Sequence, residues 1–226
     1  VPYRLRDDLS YCYVDGGLIF QDVDQDRYFR LSDDMEQALI ALLESDGSAE
    51  ADVRPLVEAN ILANGQPEPR HQARLALECP RRSLVEGRSS SRRIPLSTLI
   101  ESFAIVCATQ WQLKRRRLKH VLDALVAYRR EHASSSDTVA NDARQLGLTE
   151  AVEDFRRSRR YVPVDPICLL DSLAMTRFLA KRGLHANIVF GVTSNPFSAH
   201  CWVQAGDLAL NDTVGHTSAF VQIRVV

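Results

Sequence analysis

The sequence predicts an α+β fold, with strands near both ends of the chain and helices between them. Three patterns carry that prediction. Short apolar runs broken by Gly- and Asp-containing turns fill residues 11–32. Apolar residues at helical spacing then dominate residues 96–161. Finally, three short apolar runs follow one last helix toward the C-terminus. Strands and helices that segregate in this way are the mark of α+β architecture.

A chain of 226 residues has room for one large domain or two small ones. Its 45% hydrophobic and 25% charged residues are ordinary for a soluble globular protein. No apolar run reaches the roughly 18 residues that a membrane span needs, and no signal-peptide pattern opens the chain. Five cysteines, odd in number and without a C-x-x-C pair, argue for a reducing cytoplasm and against a disulfide frame or zinc site. Neither a metal nor a cofactor is expected. Charge is unevenly spread. Residues 1–64 hold 14 acids against 5 Lys/Arg, a balance of −9, whereas residues 65–165 stand at +7 and 166–226 at +1. An acidic first quarter beside a basic middle fits two units that either dock on each other or share a charged partner.

Tyr11–Val14, Leu18–Val23 and Arg27–Ser32 are the strand candidates, with turns at Asp15-Gly16-Gly17 and Asp24-Gln25-Asp26. Ser32 is placed to cap a helix over Asp33–Glu44 that buries Met35, Leu39, Leu42 and Leu43. A second helix is expected over about 50–60, burying Val53, Leu56 and Val57, with Ile61 and Leu62 following. Three strands followed by helices make a small winged-helix-like unit over 1–64. Such units often bind DNA, but a balance of −9 is unfavourable for phosphate, so no nucleic-acid partner is expected.

Asn64–Pro69 breaks the pattern, and 65–95, rich in Arg and Ser, reads as a linker crossing to a second domain over 96–226. Helices are expected at Leu96–Gln112, a core helix with Leu99, Ile100, Phe103, Ile105, Val106 and Trp111, and at Leu118–Glu131. After a loop at Ser134–Asp137, two shorter pieces are expected over Thr138–Leu146 and Thr149–Tyr161. Arg159 and Arg160 then stand just before the most informative stretch, placed either to hold it or to meet a substrate.

In Asp165-Pro166-Ile167-Cys168, Asp reads as an N-cap and Pro as the first helical residue. Cys168 then falls in the first helical turn. Unpaired N–H groups and the positive dipole end lower a thiol pKa there. The apolar helix that follows closes on Lys181, Arg182 and Gly183. Strands are expected at Ala186–Val192, Ala199–Gln204 and Leu208–Asp212, putting His200 and Asp212 on neighbouring strands. Cys168, His200 and Asp212 are thus a nucleophile, a base and an orienting carboxylate in workable order. Trp202, two residues past His200, is placed either to wall the pair from water or to fill the core.

Cys168-Leu-Leu-Asp-Ser-Leu-Ala, Gly191-Val192, Pro196-Phe-Ser-Ala-His-Cys-Trp-Val203 and Leu210-Asn-Asp212 together resemble the leader peptidases of lasso-peptide biosynthesis. The resemblance covers roughly 60 C-terminal residues. It implies a transglutaminase/papain-like cysteine peptidase domain with helices before an antiparallel sheet, and it gives Cys168, His200 and Asp212 their catalytic roles. It also implies that the first unit resembles a PqqD-like precursor-recognition element. There a leader peptide pairs as an added strand beside Tyr28, Phe29, Arg30 and Leu31, in a groove against the helix carrying Val53 and Val57. The alternative is that Tyr28, Phe29 and Leu31 only pack the hairpin. The implied partners are the precursor peptide and an asparagine-synthetase-like lasso cyclase, with no membrane. Two other functions use the same residues or fold: a transglutaminase-like acyl transferase, and a non-catalytic precursor-binding scaffold.

Strand parity adds a geometric expectation. A two-residue loop at Gly206-Asp207 would set Cys201 opposite Asp212 and turn His200 away. A three-residue loop, Ala205-Gly206-Asp207, or an equivalent bulge, is therefore expected, with His200 opposite Asp212.

Overall fold

The computed structural model describes residues 3–44, 52–65, 77–87, 93–132 and 141–226. Strands β1 (Tyr3–Leu5), β2 (Leu9–Val14), β3 (Gly17–Asp22) and β4 (Arg27–Phe29) open the chain. Val14 pairs with Gly17, so the β2–β3 turn is Asp15-Gly16 alone and Gly17 belongs to the strand. Both turn residues have positive φ, 46° and 85°, as a type I′ turn requires. In the sheet order β2-β3-β4, no strand among the described residues pairs with the outer edge of β4. β4 ends at Phe29, short of the expected Ser32.

Helix α1 (Asp33–Glu44) has the expected bounds, and its Glu36 accepts a hydrogen bond from the Leu18 amide at 2.9 Å. Helix α2 (Arg54–Glu58) is shorter than expected; residues 50 and 51 lie outside the described part. Asn60 takes φ +57°, which ends helical geometry, and Ile61 and Leu62 leave the helix. Instead β5 (Leu62–Asn64) pairs antiparallel with β1.

The β2–β4 sheet is buried on both faces, as side-chain alternation allows. Leu9, Leu18 and Phe20 pack with Leu39, Leu42 and Leu56 of α1 and α2. On the other face Cys12, Val14, Ile19 and Val23 share one apolar cluster with Leu118, Val121, Leu122 and Leu125 and with Phe190 and Ile223 from the far end of the chain. The acidic and basic segments meet at this junction: Asp8 pairs with Lys119 at 2.7 Å and Asp24 with Arg117 at 3.0 Å.

Helices α3 (Leu96–Arg115), α4 (Leu118–Glu131), α5 (Asn141–Arg159) and α6 (Cys168–Ala180) follow. The α3 face expected in the core is only partly there. Thr98, Ser102, Val106 and Thr109 are its buried residues, while Ile100, Phe103 and Trp111 are 61%, 47% and 54% exposed. Small residues let α3 approach its neighbours closely, with Ser102 Oγ and Ser158 Oγ 2.6 Å apart. α5 is one helix rather than two, running through Gly147 with Leu148 and Val152 buried. The loop expected at 134–137 lies outside the described residues.

Strands β6 (Arg82–Ser83), β7 (Asn187–Ser194), β8 (Phe197–Ala205), β9 (Leu208–Ala209) and β10 (Val221–Val225) form a sheet in the order β10-β7-β8-β9-β6, with the short helix α7 (Val214–Thr217) before β10. All its pairings are antiparallel except β6–β9. Within the expected crossing segment, Arg82 and Ser83 are therefore sheet residues. The Arg82 guanidinium meets Asp207 at 2.7 Å. Of the other arginines in that segment, Arg70, Arg74, Arg88 and Arg92 lie outside the described residues. α6 lies against this sheet, with Leu170, Leu173, Ala174, Phe178 and Leu179 almost fully buried.

Candidate active site

Cys168 is the first residue of α6, not the third. Ile167, with φ −131° and ψ 131°, is the N-cap and makes no side-chain cap; the expected Asp165 cap does not form. The approach is held from outside instead. Arg159 donates to the carbonyls of Val162, Val164 and Asp165 at 3.3, 2.9 and 3.2 Å, and to Asp171 Oδ1 at 2.7 Å. One guanidinium thus ties the turn before Cys168 to the first turn of α6. At the other end, Gly183 (φ +68°) closes the helix. Its N–H reaches Ala180 O at 2.9 Å and Leu184 N reaches Leu179 O at 3.0 Å, a Schellman pattern.

The connection from β8 to β9 corrects the expected loop. Ala205 pairs with Leu208 and Gln204 with Ala209, so the loop is the two-residue Gly206-Asp207. Gly206 has φ +59° at the first central position, as in a type II′ turn. His200 still meets Asp212, because the chain leaves the ladder. Leu210 N donates to Val203 O at 2.8 Å, but Val203 N is then taken by the Asn211 side chain at 2.7 Å, not by backbone. Asn211 Nδ2 continues to Ser172 Oγ on α6 at 3.0 Å. Freed from strand parity, Asp212 turns to His200, with Oδ2 2.5 Å from Nε2. Ser83 Oγ donates to the Asp212 carbonyl at 2.6 Å and Thr213 N to its Oδ1 at 2.7 Å, fixing the new direction.

His216 completes the group. Its Nδ1 is 3.1 and 2.8 Å from the two Asp212 oxygens, and its ring centroid is 4.6 Å from that of His200. Trp202 and Phe220 flank the His200 ring, with centroids 6.1 and 5.3 Å away. Trp202 is both core and wall: it is fully buried, and its indole N–H donates to Gln204 at 2.9 Å. Gly191 pairs with His200 across the sheet, where a Cβ would lie 2.8 Å from Phe220 Cβ and 2.9 Å from the Trp202 ring.

Electrostatics sharpens the thiol. Hydrogen bonds from Cys201 and then from His200 hold the Cys168 pKa at about 4, far below its ordinary 9.0 and against the effect of burial. Burial alone would lower the His200 pKa, but the bonds to Cys168 and Asp212 outweigh it and the ring titrates above 6.5. Between these two titrations the pair is thiolate and imidazolium. Cys201 lies on the opposite face of β8 from His200, and that face packs on α6, so its thiol points at Cys168 and at Ser172 Oγ (3.9 Å) rather than away from the reaction centre. As the donor to the exposed Cys168 sulfur, and itself buried, it is held well above its usual pKa.

His200 Nε2, an Asp212 oxygen and His216 Nδ1 lie within 4.8 Å of one another, a donor set that a transition metal could use. The 2.5 Å contact between Nε2 and Oδ2 is closer than two ligands sit around one ion, so these atoms are arranged to share a proton. The cleft over the thiol is about 350 Å³. Its lining includes Arg156, Arg159, Arg160, Cys168, Met175, His200 and His216.

The residues expected to bind a leader lie in two places. Tyr28 is turned inward against the shared cluster and Phe197 (5.7 Å between rings), and its hydroxyl accepts from Gln21 at 3.0 Å. Burial, and then the nearby Cys201 thiol, push its pKa up. Phe29, Leu31 and Val53 are half-buried against the α1–α2 cluster, whereas Arg30 and Val57 are exposed. Sequence patterns gave no sign of Asn211 and Ser83 as supports. His216, one helical turn past Asp212, was open to recognition only by that spacing.

The model of the transglutaminase-like superfamily matches residues 103–225. A 45-residue segment is 42% identical to the microcin J25-processing protein McjB of Escherichia coli, spanning 20% of this chain and 22% of that protein. No solved structure matches the chain. With more than half of its length matched, the chain belongs to the transglutaminase-like superfamily.

Proposed function

We propose that the protein is a cysteine peptidase that removes the leader from a lasso-peptide precursor before a partner synthetase cyclises the core. The observation that carries this reading is that Cys168, at the start of α6, shares one cleft with the hydrogen-bonded pair His200–Asp212, and that His200 and Cys201 lower its thiol pKa. The similarity to a segment of a microcin-processing protein supports the substrate class.

The Cys168 sulfur attacks the scissile carbonyl, and the His200 imidazolium gives its proton to the departing amine. Asp212 keeps the ring oriented and stabilises its charge. The Cys168 N–H, at the first position of α6, has no helical acceptor and is the natural oxyanion donor. Water, deprotonated by His200, then attacks the thioester and releases the free acid and the thiol.

Leader recognition is assigned to the 1–64 unit, at the outer edge of β4, where no strand among the described residues pairs and an added strand has room to. Tyr28 on β4 packs beside Phe197 and feels the charge of Cys168, so a peptide leaving that edge has a short path to the thiol. Five free cysteines suit a reducing cytoplasm. No helix among the described residues is long and apolar enough to cross a membrane.

Incubating the full chain with a lasso precursor and weighing the products tests the reading. Free leader plus shortened peptide is expected. A joined product would assign an acyl transferase, and unchanged precursor bound to the chain would assign a scaffold.

A further inference from the structure

One wall of the cleft over Cys168 carries Arg156, Arg159 and Arg160 at the end of α5. Their surroundings differ. Arg159 is committed to Asp171 and three backbone carbonyls. Arg156 gives one N–H to the Leu84 carbonyl at 2.9 Å and is half-buried. Desolvation and then the charge of Arg160 disfavour its cation, and Glu153 offsets this only in part. Arg160 is exposed and has no acid within ion-pair distance among the described residues. The acids that line the cleft are already engaged: Asp171 by Arg159, and Asp212 by His200 and His216.

We propose that Arg156 and Arg160 form an anion subsite that draws a carboxylate of the substrate, an acidic side chain beside the scissile bond, into the cleft of Cys168. Two guanidinium groups on one wall, close enough that the charge of Arg160 acts on Arg156 and neither in an ion pair among the described residues, leave room for a carboxylate supplied from outside. Guanidinium pairs suit that ligand because they present several donors in a planar fork. The peptidase reading supplies only the identity of the ligand as a peptide. The subsite itself is a property of the cleft.

The test uses a small anion rather than a peptide. The full chain is alkylated with iodoacetate and, separately, with the neutral iodoacetamide, and modification of Cys168 is followed by mass spectrometry so that exposed Cys79 does not interfere. The ratio of the two rates removes the intrinsic reactivity of the thiolate. Arg160→Gln and Arg156→Gln are each expected to lower the ratio about three- to tenfold, as loss of one nearby charge in a partly shielded site should. Arg160→Lys, which keeps the charge, should largely restore it and guards against a folding defect. A ratio unchanged within twofold in both Gln variants overturns the subsite. Precursors with Glu, Gln or Lys at each position flanking the cleavage site are then compared, and Arg160→Glu should reverse a preference for Glu over Lys. Cleavage without an Arg-dependent ratio would sink the subsite alone. An Arg-dependent ratio without cleavage would sink the peptidase reading alone.

Discussion

Asp212 Oδ2 lies 2.5 Å from His200 Nε2, and the same carboxylate meets His216 Nδ1 at 2.8 Å. One carboxylate is thus shared by two imidazoles, and the His200 ring lines the same cleft as the Cys168 thiol, each shifting the other's titration. Asp212→Asn should keep the fold and the binding of leader, yet lower kcat by about two to four orders of magnitude, since the amide no longer fixes the tautomer. Single-turnover cleavage together with a leader-binding titration separates the two effects. Equal loss in both would show that Asp212 is only a structural residue.

The pH profile follows from the two shifted groups. The thiolate is lost as pH falls through about 4, and the imidazolium is lost as pH rises through a pKa above 6.5. Cleavage should therefore be bell-shaped, with its acid limb near pH 4 and its basic limb above 6.5. An acid limb near 8 to 9 would mean that the ion pair does not form. Cys168→Ala should abolish cleavage at every pH.

Cys201 gives a finer check. Its thiol is the leading cause of the low Cys168 pKa, and it is nearly buried. Cys201→Ala should raise the acid limb of Cys168 alkylation by iodoacetamide while leaving the plateau rate largely intact. An unmoved limb would remove Cys201 from the account.

Much of this was legible in the sequence. α1 and α4 have the bounds that apolar spacing gives, and the order Cys, His, Asp was plain in the sequence. What escaped depended on tertiary partners. Ile100, Phe103 and Trp111 have core-like spacing, but α3 packs through Thr98, Ser102 and Thr109, because close approach favours small residues. Parity along β8 and β9 pointed to a three-residue loop. The real loop has two, and the irregularity comes later, where the Asn211 amide stands in for backbone. The break at 64–69 hid a core shared by Ile19 and Leu122, 103 positions apart, since composition reports no contacts.

Gly191 offers a test of how tightly the base is framed. An added methyl would stand 2.8 Å from Phe220 Cβ and 2.9 Å from Trp202, closer than real side chains approach. Both flank the His200 ring, so Gly191→Ala should cost about 1–3 kcal/mol of stability by overpacking. It should also reduce cleavage at temperatures where the variant remains folded. Thermal unfolding and activity measured on the same sample decide it; a variant with unaltered melting and rate would show that the site yields.

The outer edge of β4 is tested in the intact chain, because Cys12, Val14, Ile19 and Val23 would be stripped of their cover in an isolated first unit. Tyr28 is a poor probe of leader binding: a charge there would disturb the shared core as well as the edge. Arg30 and Leu31 follow β4 directly, and Arg30 is exposed. Leu31→Asp and Arg30→Glu should each weaken leader binding several-fold, measured with labelled leader and the Cys168→Ala chain. Alkylation of Cys168 in otherwise unaltered protein should stay as it was. If affinity survives both substitutions, the leader docks elsewhere. If the Cys168 alkylation rate falls along with affinity, the two changes have distorted the shared core, and β4 has not been tested as a docking edge until Arg30→Gln, which leaves the packing alone, is measured in the same way.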